Sequence, residues 1–424
     1  MALSWSDRPQ LPVETVGPMC TLSDTVSAGT MSTSEIGVEL ASRDADPVIP
    51  VMKPWLGPEE SEAAAEAVAS GWVAQGPRVA EFERAFAQTI GCHHAVAVSS
   101  CTSALHLSLV LSGVGPGDEV VVPSLSFIAT ANAARYVGAT PVFADVEVGT
   151  QNLTVDSIEA VLSPATRAVI LVHQAGVPAD VDPVRELATT REVALIEDAA
   201  CAIGSTYRGR MVGHGAELAT FSFHPRKLVT TGEGGMLACG SIEHARRARR
   251  LREHGMSVSA ADRHQSGTPV IERYLETGFN YRMTDIQAAV GLVQLGRLEQ
   301  IVARRRLLAA RYTESFEDLG VLVAADPPYG TTNFQSYWML LAQDAPIGRD
   351  ELLGALHDEG ISARRGIMAA HAEPAYRAGP RAQLPVTERL SADSLILPLY
   401  HDLSESDQDR VIASVRRHLG ADRS

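Results

Sequence analysis

The sequence has no long apolar run, no paired-cysteine motif and no excess of positive charge. A membrane-spanning helix needs about 18 or more consecutive apolar residues, and no stretch approaches that length. The five cysteines include no C-x-x-C pair, which argues against a disulfide framework and against a zinc site. The net charge of −15 disfavours nucleic acid and anionic membranes as partners. We therefore expect a cytoplasmic protein without a metal, a membrane anchor or a nucleic-acid partner.

Residues 1–48 lack the signals of a folded segment. They are rich in Ser, Thr, Asp and Glu, show no helical periodicity and contain no basic segment followed by an apolar one, as a secretory signal would. We interpret them as a mobile N-terminal extension, and Met31 leaves open that part of it precedes the natural start. The chain is long enough for two or three domains that share a large core. We place these domains at residues 49–295 and 296–424.

Apolar runs that alternate with helical periodicity predict the fold. Two helices are expected first, at residues 59–69 and 79–90. Short apolar or β-branched runs then predict strands at residues 95–98, 119–122, 140–143, 168–172, 194–197 and 218–222. Helices are expected between several of these strands, at residues 103–111, 129–137, 155–162 and 181–189. This alternation is typical of an α/β fold with a mostly parallel sheet covered on both faces, which binds ligands beyond the carboxyl ends of its strands.

The C-terminal part of the chain predicts a smaller α/β unit. Before it, we expect a helix at residues 242–254, an irregular polar segment near 260–268 and one long helix at 285–310. The smaller unit itself is predicted to contain a strand at residues 335–341 and helices at 349–359 and 407–419.

Lys227 lies between a strand-like aromatic segment, FSFHPRK at residues 221–227, and a glycine-rich turn, TTGEGG at residues 230–235. An enzyme that holds pyridoxal 5'-phosphate (PLP) as a Schiff base needs a lysine that is fixed, partly desolvated and open to a substrate. A solvated lysine in a glycine-rich loop gives the same local pattern. The choice between the two depends on whether the other groups that PLP requires are present.

Three further stretches supply those groups. Asp198 ends an apolar strand, where its carboxylate can pair with the pyridine nitrogen of PLP, although an aspartate there is often only a helix cap. The hydroxyl-rich turn at residues 99–103 opens a helix, so the amides of Thr102 and Ser103 can bind a phosphate, unless the turn only caps the helix. Phe127 can stack on the pyridine ring, although alone it would be a core aromatic. All four elements follow predicted strands, which makes coincidence the weaker explanation.

From about residue 50 to its end, the chain resembles the DegT/DnrJ/EryC1/StrS family. These are PLP aminotransferases of fold type I that act on keto sugars attached to nucleotides and on related cyclitols. The stretches that carry the resemblance are KPWLG (53–57), SGW (70–72), QGP (75–77), GDEVV (117–121) with Phe127, GATPVF (138–143), PADVD (178–182), EDAA (197–200), the Lys227 motif and GFNYRM (278–283). The resemblance implies a large domain with a mostly parallel seven-stranded sheet and a smaller C-terminal α/β domain.

The resemblance also implies a role for each candidate residue. Lys227 would form the Schiff base and move the proton, Asp198 would pair with the pyridine nitrogen, and Phe127 would stack on the ring. The phosphate would be held by Thr102, Ser103 and Ser222, and in the neighbouring subunit by Asn280, so that a homodimer shares its active sites. Substrate contacts would come from Gln75, Arg282 and His371, for which an exposed or structural role remains an alternative.

Three positions depart from the family pattern. Cys201 stands where Gln or His commonly contacts the phenolic oxygen of the cofactor, and a thiol is a weak donor, so that contact is expected to be weakened or replaced. Cys101 stands where a glycine is usual in the phosphate turn, which we expect to survive. Residues 364–368, RRGIM, replace a more usual aromatic or proline-rich stretch, which indicates a different substrate side.

The resulting interpretation is a transaminase with a ping-pong cycle. An amino donor, L-glutamate in our interpretation, converts PLP to pyridoxamine 5'-phosphate, which then aminates a nucleotide-linked keto sugar in amino-sugar or antibiotic biosynthesis. A keto-cyclitol is the alternative acceptor. Two other readings of the family remain: a sugar dehydratase, which would have His in place of Lys227, and a non-catalytic regulatory protein, which the intact set of Lys227, Asp198 and Ser222 disfavours.

Overall fold

The computed structural model describes residues 48–259, 269–377 and 383–420. The expectations for residues 1–47 and for the polar segment at 260–268 lie outside the described residues. The helices are α1 (Pro58–Ala69), α2 (Pro77–Ile90), α3 (Cys101–Leu111), α4 (Ala129–Tyr136), α5 (Val155–Glu159), α6 (Val181–Thr190), α7 (Ile242–Leu251), α8 (Asp285–Gly296), α9 (Leu298–Ser315), α10 (Arg349–Asp358), α11 (Pro385–Asp393) and α12 (Glu405–Leu419).

The strands form three sheets in the described part of the chain. They are β1 (His94–Val98), β2 (Glu119–Pro123), β3 (Thr140–Ala144), β4 (Thr166–Val172), β5 (Ala194–Asp198), β6 (Thr206–Tyr207), β7 (Arg210–Met211), β8 (Leu218–Ser222), β9 (Gly235–Cys239), β10 (Leu322–Val323), β11 (Gly330–Thr331), β12 (Tyr337–Leu340), β13 (Arg364–Arg365) and β14 (Ser394–Leu397). The large sheet has seven strands in the order β1-β9-β8-β5-β4-β2-β3. The predicted α/β fold with a mostly parallel seven-stranded sheet is therefore confirmed.

Both faces of the large sheet are covered by helices. Val120 and Val122 of β2 pack into a core with side chains of α3, α4 and α7, whereas Val121 points to the opposite face and packs against α6 and α9. Near β1 and β8, the opposite face is covered by α2 and α8, with Phe82 and Phe86 at the centre. Since successive side chains of a strand point to opposite faces, a strand covered on both sides becomes a continuous apolar run, as β2 is.

The sequence did not predict β9, which is the antiparallel member of the large sheet. It pairs with β1 on one side and β8 on the other. All five of its residues are buried, so they show no alternation between apolar and polar side chains. A short buried strand directly after a glycine-rich turn carries little periodic signal, which explains why it was missed.

The prediction of one long helix at residues 285–310 was wrong. Two helices, α8 and α9, occupy this part of the chain and meet at Arg297, whose ψ angle of −1° leaves the helical range. Apolar side chains from both helices enter the same core, so the periodicity of the sequence continues across the break. Gly296, which has a low helix propensity, is the local signal for the interruption.

A four-stranded antiparallel sheet, in the order β10-β12-β14-β13, forms the C-terminal unit. The strand predicted at residues 335–341 is present as the shorter β12, and its Tyr337 and Trp338 are fully buried. Arg305 of α9 is also buried and donates hydrogen bonds to the carbonyl oxygens of Phe334 and Gln335, which ties α9 to the chain just before β12. None of the helices in the described ranges is both long and apolar enough to cross a membrane.

Candidate active site

The register of the large sheet brings the candidate residues to one edge. Gly235, the first residue of β9, lies opposite Val98 of β1 and opposite Ser222 of β8. Asp198, the last residue of β5, pairs with Val172 at the end of the neighbouring β4. The carboxyl ends of the parallel strands therefore meet there, as expected for a ligand site in such a sheet.

Gly235 allows a close approach between the glycine-rich turn and the start of α3. A Cβ atom at this position would lie 2.4 Å from the carbonyl carbon of Ser100 and 2.5 Å from the backbone nitrogen of Cys101. Only glycine fits such a contact. The turn that follows Lys227 is thus packed directly against the predicted phosphate turn.

The start of α3 offers several hydrogen-bond donors. The Ser100 hydroxyl accepts a hydrogen bond from the backbone N–H of Ser103 at 3.1 Å, and the Ser99 and Ser103 hydroxyls lie 3.1 Å apart. The first turn of a helix has amides without intrahelical partners and a positive dipole end, which together favour an anion. Thr102 is half-buried in this turn. Because α3 begins at Cys101, the cysteine leaves the turn intact, as expected.

Asp198 is a buried carboxylate with two hydrogen bonds. One oxygen accepts from the Thr130 hydroxyl at 3.1 Å and the other from the backbone N–H of Ala200 at 3.1 Å. Burial raises the pKa of Asp198, although the positive charges of Lys227 and His173 act in the opposite direction. Among the described residues, no basic side chain forms a salt bridge with this carboxylate. A protonated pyridine nitrogen would supply the missing cation, so this residue fits PLP.

Lys227 lies beside Cys201. Its Nζ donates a hydrogen bond to the Cys201 Sγ at 2.9 Å, and both side chains are half-buried. The departure from the family pattern at position 201 therefore places a thiol directly at the amine. Burial, and then the charge of Asp198, raise the pKa of the neighbouring Cys101 well above its ordinary value, so that Cys101 stays a neutral thiol.

Phe127 and Ser222, the predicted ring and phosphate contacts, differ in their exposure. Phe127 is 66% exposed, just before α4, and its carbonyl oxygen accepts a hydrogen bond from the N–H of Thr130, the residue that contacts Asp198. Phe127 is thus linked through Thr130 to the predicted pyridine partner Asp198, and its exposed ring is open to a ligand. Ser222 is buried at the end of β8.

Sequence reasoning missed Thr130 and His173. Thr130 holds Asp198 by a hydrogen bond, and its position three residues after Phe127, in the first turn of α4, was the available signal. His173 directly follows β4, and its backbone N–H donates to the carbonyl oxygen of Asp198 at 3.0 Å. Its Nδ1 accepts from the N–H of Ala179, and its Nε2 lies 3.4 Å from a carboxylate oxygen of Glu197. These contacts fix the end of β5 from both sides.

The candidate substrate residues fall into two groups. His371 reaches the sheet edge, where its Nδ1 lies 2.6 Å from the hydroxyl of Ser124, the residue after β2. Gln75 instead donates a hydrogen bond to the carboxylate of Glu253, and the backbone of Glu253 bridges to Asn280. The side chain of Asn280 is exposed and that of Arg282 is half-buried. Gln75 and Asn280 thus lie together near Glu253, and the carbonyl oxygen of Tyr281, the residue after Asn280, accepts a hydrogen bond from the N–H of Ser99 in the predicted phosphate turn.

Comparisons with known proteins agree with this geometry. Residues 54–416 match the model of the DegT/DnrJ/EryC1/StrS aminotransferase family. The aminotransferase TlmJ from Streptoalloteichus hindustanus is 38% identical, with 89% of this chain and 100% of that chain covered and a TM-score of 0.81. DesI, in a structure determined in the presence of its TDP-sugar product, is 33% identical over 88% of this chain and 92% of that chain, with a TM-score of 0.80.

A third similar structure bears on the cofactor. The PMP-form of the putative sugar aminotransferase Spr1654 from Streptococcus pneumoniae is 26% identical, with 88% of this chain and 99% of that chain covered and a TM-score of 0.83. The protein therefore belongs to the DegT/DnrJ/EryC1/StrS aminotransferase family. It is a PLP-dependent transaminase of fold type I.

Proposed function

We propose that this transaminase transfers an amino group from an amino acid, L-glutamate, to a nucleotide-linked keto sugar in amino-sugar or natural-product biosynthesis. The observation that carries the proposal is the meeting of Lys227, Asp198 and the start of α3 at one sheet edge. The similar DesI structure was determined in the presence of a TDP-sugar product, which supports a nucleotide-linked sugar as the acceptor.

Each residue has a separate task in the proposed reaction. Bound PLP supplies an electron sink for the carbon that gains or loses the amino group. The Lys227 amine holds the cofactor covalently and moves the proton at the reacting carbon. The negative charge of the Asp198 carboxylate, which Thr130 and the Ala200 N–H hold in place, would keep the pyridine nitrogen protonated. The first turn of α3, with Ser222, would bind the phosphate, and Phe127 would stack on the ring.

We also propose that the protein works in a reducing compartment, the cytoplasm. The four cysteines of the described residues are free, and one of them, Cys201, lies 2.9 Å from the Lys227 amine. Oxidation of that thiol would change the surroundings of the amine on which turnover depends.

The acceptor is tested in the half-reaction of the pyridoxamine-phosphate enzyme. Mixed with nucleotide-linked 3-keto and 4-keto sugars and with free keto-cyclitols, the enzyme is expected to lose the absorbance of the reduced cofactor with one or more nucleotide-linked sugars. Reaction with cyclitols alone would contradict the sugar assignment and favour the cyclitol alternative. If a broad panel gives no reaction at all, the proposed acceptor class is wrong.

We propose that the active form is a homodimer in which Asn280 completes the site of the partner. Asn280 is exposed and belongs to the stretch that precedes α8, far in sequence from the strands that carry Asp198 and Lys227. Its backbone bridges to Glu253, and the neighbouring Tyr281 accepts a hydrogen bond from the N–H of Ser99 in the same chain. The family resemblance and the exposure of the Asn280 side chain support a contact with the phosphate of a second copy of the chain.

Complementation between two inactive variants tests this arrangement. Lys227→Ala and Asn280→Ala are each expected to be inactive, but a mixed dimer would contain one site with both residues intact. Random pairing of an equal mixture places about half of the chains in mixed dimers, so about a quarter of all sites should recover activity. Mass spectrometry verifies that mixed dimers form. With Asn280→Ala shown to be inactive alone, mixed dimers without any activity would rule out the shared-site arrangement.

A further inference from the structure

Two arginines from distant parts of the sequence line one cleft beside the lysine. Arg226 directly precedes Lys227, whereas Arg364 lies on β13, the edge strand of the C-terminal sheet. Both line one cleft, together with Gln335 and Ser336, and the rest of the lining is apolar. The cleft therefore joins the lysine loop to the stretch, residues 364–368, that departs from the family pattern.

The guanidinium groups of Arg226 and Arg364 are close enough for their charges to interact. Arg364 keeps an exposed side chain at the rim, yet the surrounding protein desolvates its guanidinium enough to lower the pKa, and the positive charge of Arg226 lowers it further. The charge of Cys201 acts on Arg364 in the opposite direction. Gln335, which lines the same cleft, donates to the carbonyl oxygen of Arg226, and Asn333 donates to the carbonyl oxygen of Cys201, whose Sγ lies 2.9 Å from the Lys227 Nζ. These bonds place the cleft next to the loop that carries Lys227.

No acidic side chain of the described ranges neutralises this pair. The hydrogen bonds of Arg226 are made by its backbone, to the His224 ring and from the Gln335 side chain, and neither guanidinium has an ion pair among the described residues. The neighbouring Arg365 differs, since it lies 3.5 Å from a carboxylate oxygen of Glu373. Two adjacent cations without a counterion form a site for an anion.

Gln335 adds a buried acceptor to the same cleft. It is 7% exposed, and its Nε2 donates a hydrogen bond to the carbonyl oxygen of Arg226 at 2.6 Å, which fixes the backbone beside Lys227. Its Oε1 is buried and has no hydrogen-bond partner among the described residues. A buried amide oxygen without a partner is costly, so a ligand that brings an N–H donor would be favoured here.

We propose that Arg226 and Arg364 bind the carboxylate of the amino donor, while the Oε1 of Gln335 accepts a hydrogen bond from its amino group. The inference rests on the proposed function. An amino acid carries its carboxylate and its amine on one carbon, which matches cations close to the Lys227 amine. In a nucleotide-linked sugar, the phosphates are separated from the reacting carbon by the sugar ring. The arrangement therefore favours the donor over the acceptor as the bound anion.

The test compares Arg364→Gln and Arg226→Gln with the matched control Arg365→Gln. Arg364 and Arg365 are successive residues of one exposed edge strand, so their side chains point to opposite faces while their folding contexts are similar. In single-turnover conversion of the PLP enzyme by L-glutamate, each cleft variant should weaken the apparent affinity by about tenfold or more, since a charge-assisted hydrogen bond is lost. The limiting rate should change little, and Arg365→Gln should stay within about twofold of wild type.

A binding measurement that needs no turnover accompanies the kinetics. Calorimetric titration of the PLP enzyme with glutarate, an unreactive dicarboxylate, should show the same loss in the two cleft variants and not in the control. Thermal melting shows that all three variants are folded. The proposal would be overturned if Arg364→Gln bound L-glutamate and glutarate as tightly as Arg365→Gln and the wild-type enzyme do.

The half-reaction with the acceptor distinguishes the two anions that the arginines could bind, which are the carboxylate of the donor and the phosphates of the acceptor. Conversion of the pyridoxamine-phosphate enzyme by a nucleotide-linked keto sugar should be unchanged in the cleft variants. A loss confined to that half-reaction would overturn the proposal and assign the pair to the phosphates of the acceptor. A wild-type enzyme that holds PLP but is converted by no amino acid would contradict the proposed function and the donor site together.

Discussion

Lys227→Ala is expected to abolish turnover while the protein still binds PLP through its phosphate. In the proposed site, the covalent link and the proton transfer both depend on the Lys227 amine, whereas the phosphate would be bound by the start of α3 and by Ser222, which the substitution does not touch. The overall reaction rate and the absorbance of the protein after gel filtration with PLP measure the two effects separately. Wild-type turnover in Lys227→Ala would show that another residue holds the cofactor.

The chain offers an unusually direct control for this prediction. Its sequence contains two lysines, Lys53 and Lys227, and Lys53 is exposed. Borohydride reduction of the PLP enzyme, followed by peptide mapping, should modify Lys227 alone. Lys53→Ala should keep both the reducible cofactor band and the activity. Modification of Lys53 in the wild-type protein would contradict the assignment.

Local sequence patterns were enough to identify the residues that follow single strands. Asp198 and Lys227 stand directly after apolar runs, and a turn of hydroxyl residues precedes α3, so each could be recognised within a window of a few residues. Sequence stretches of similar length also predicted most of the helices and the parallel strands. Their meeting at one edge followed from the rule that parallel strands place their carboxyl ends together.

Contacts between distant segments could not be predicted in the same way. Thr130 and Asp198 are 68 residues apart in the sequence, and their hydrogen bond exists only because the fold brings the first turn of α4 to the end of β5. The pairing of Arg226 with Arg364 depends on how β13 joins the C-terminal sheet. The break at Arg297 was missed because the apolar period continues across it into the same core. The strand β9 was missed because burial on both sides removes the polar positions that mark the period of a strand.

Asp198→Ala is expected to slow the half-reaction with the amino donor by about a hundredfold or more, which corresponds to a barrier increase on the order of 3 kcal/mol. Without the carboxylate, the pyridine nitrogen loses the charge that keeps it protonated, and a neutral ring is a poor electron sink. The measurement is the single-turnover rate of cofactor conversion at saturating donor.

Asp198→Asn isolates the charge from the packing. An asparagine keeps the size of the side chain and an oxygen that can accept from Thr130 or from the Ala200 N–H, which now hold Asp198 at 3.1 Å each. We expect its rate to fall nearly as far as that of Asp198→Ala, since the two variants share the loss of the negative charge. Because burial raises the pKa of Asp198, the neutral asparagine should not lower the melting temperature of the cofactor-free protein. A rate close to wild type in Asp198→Asn would show that the carboxylate only positions its neighbours, and the pairing of Asp198 with the pyridine nitrogen would then be wrong.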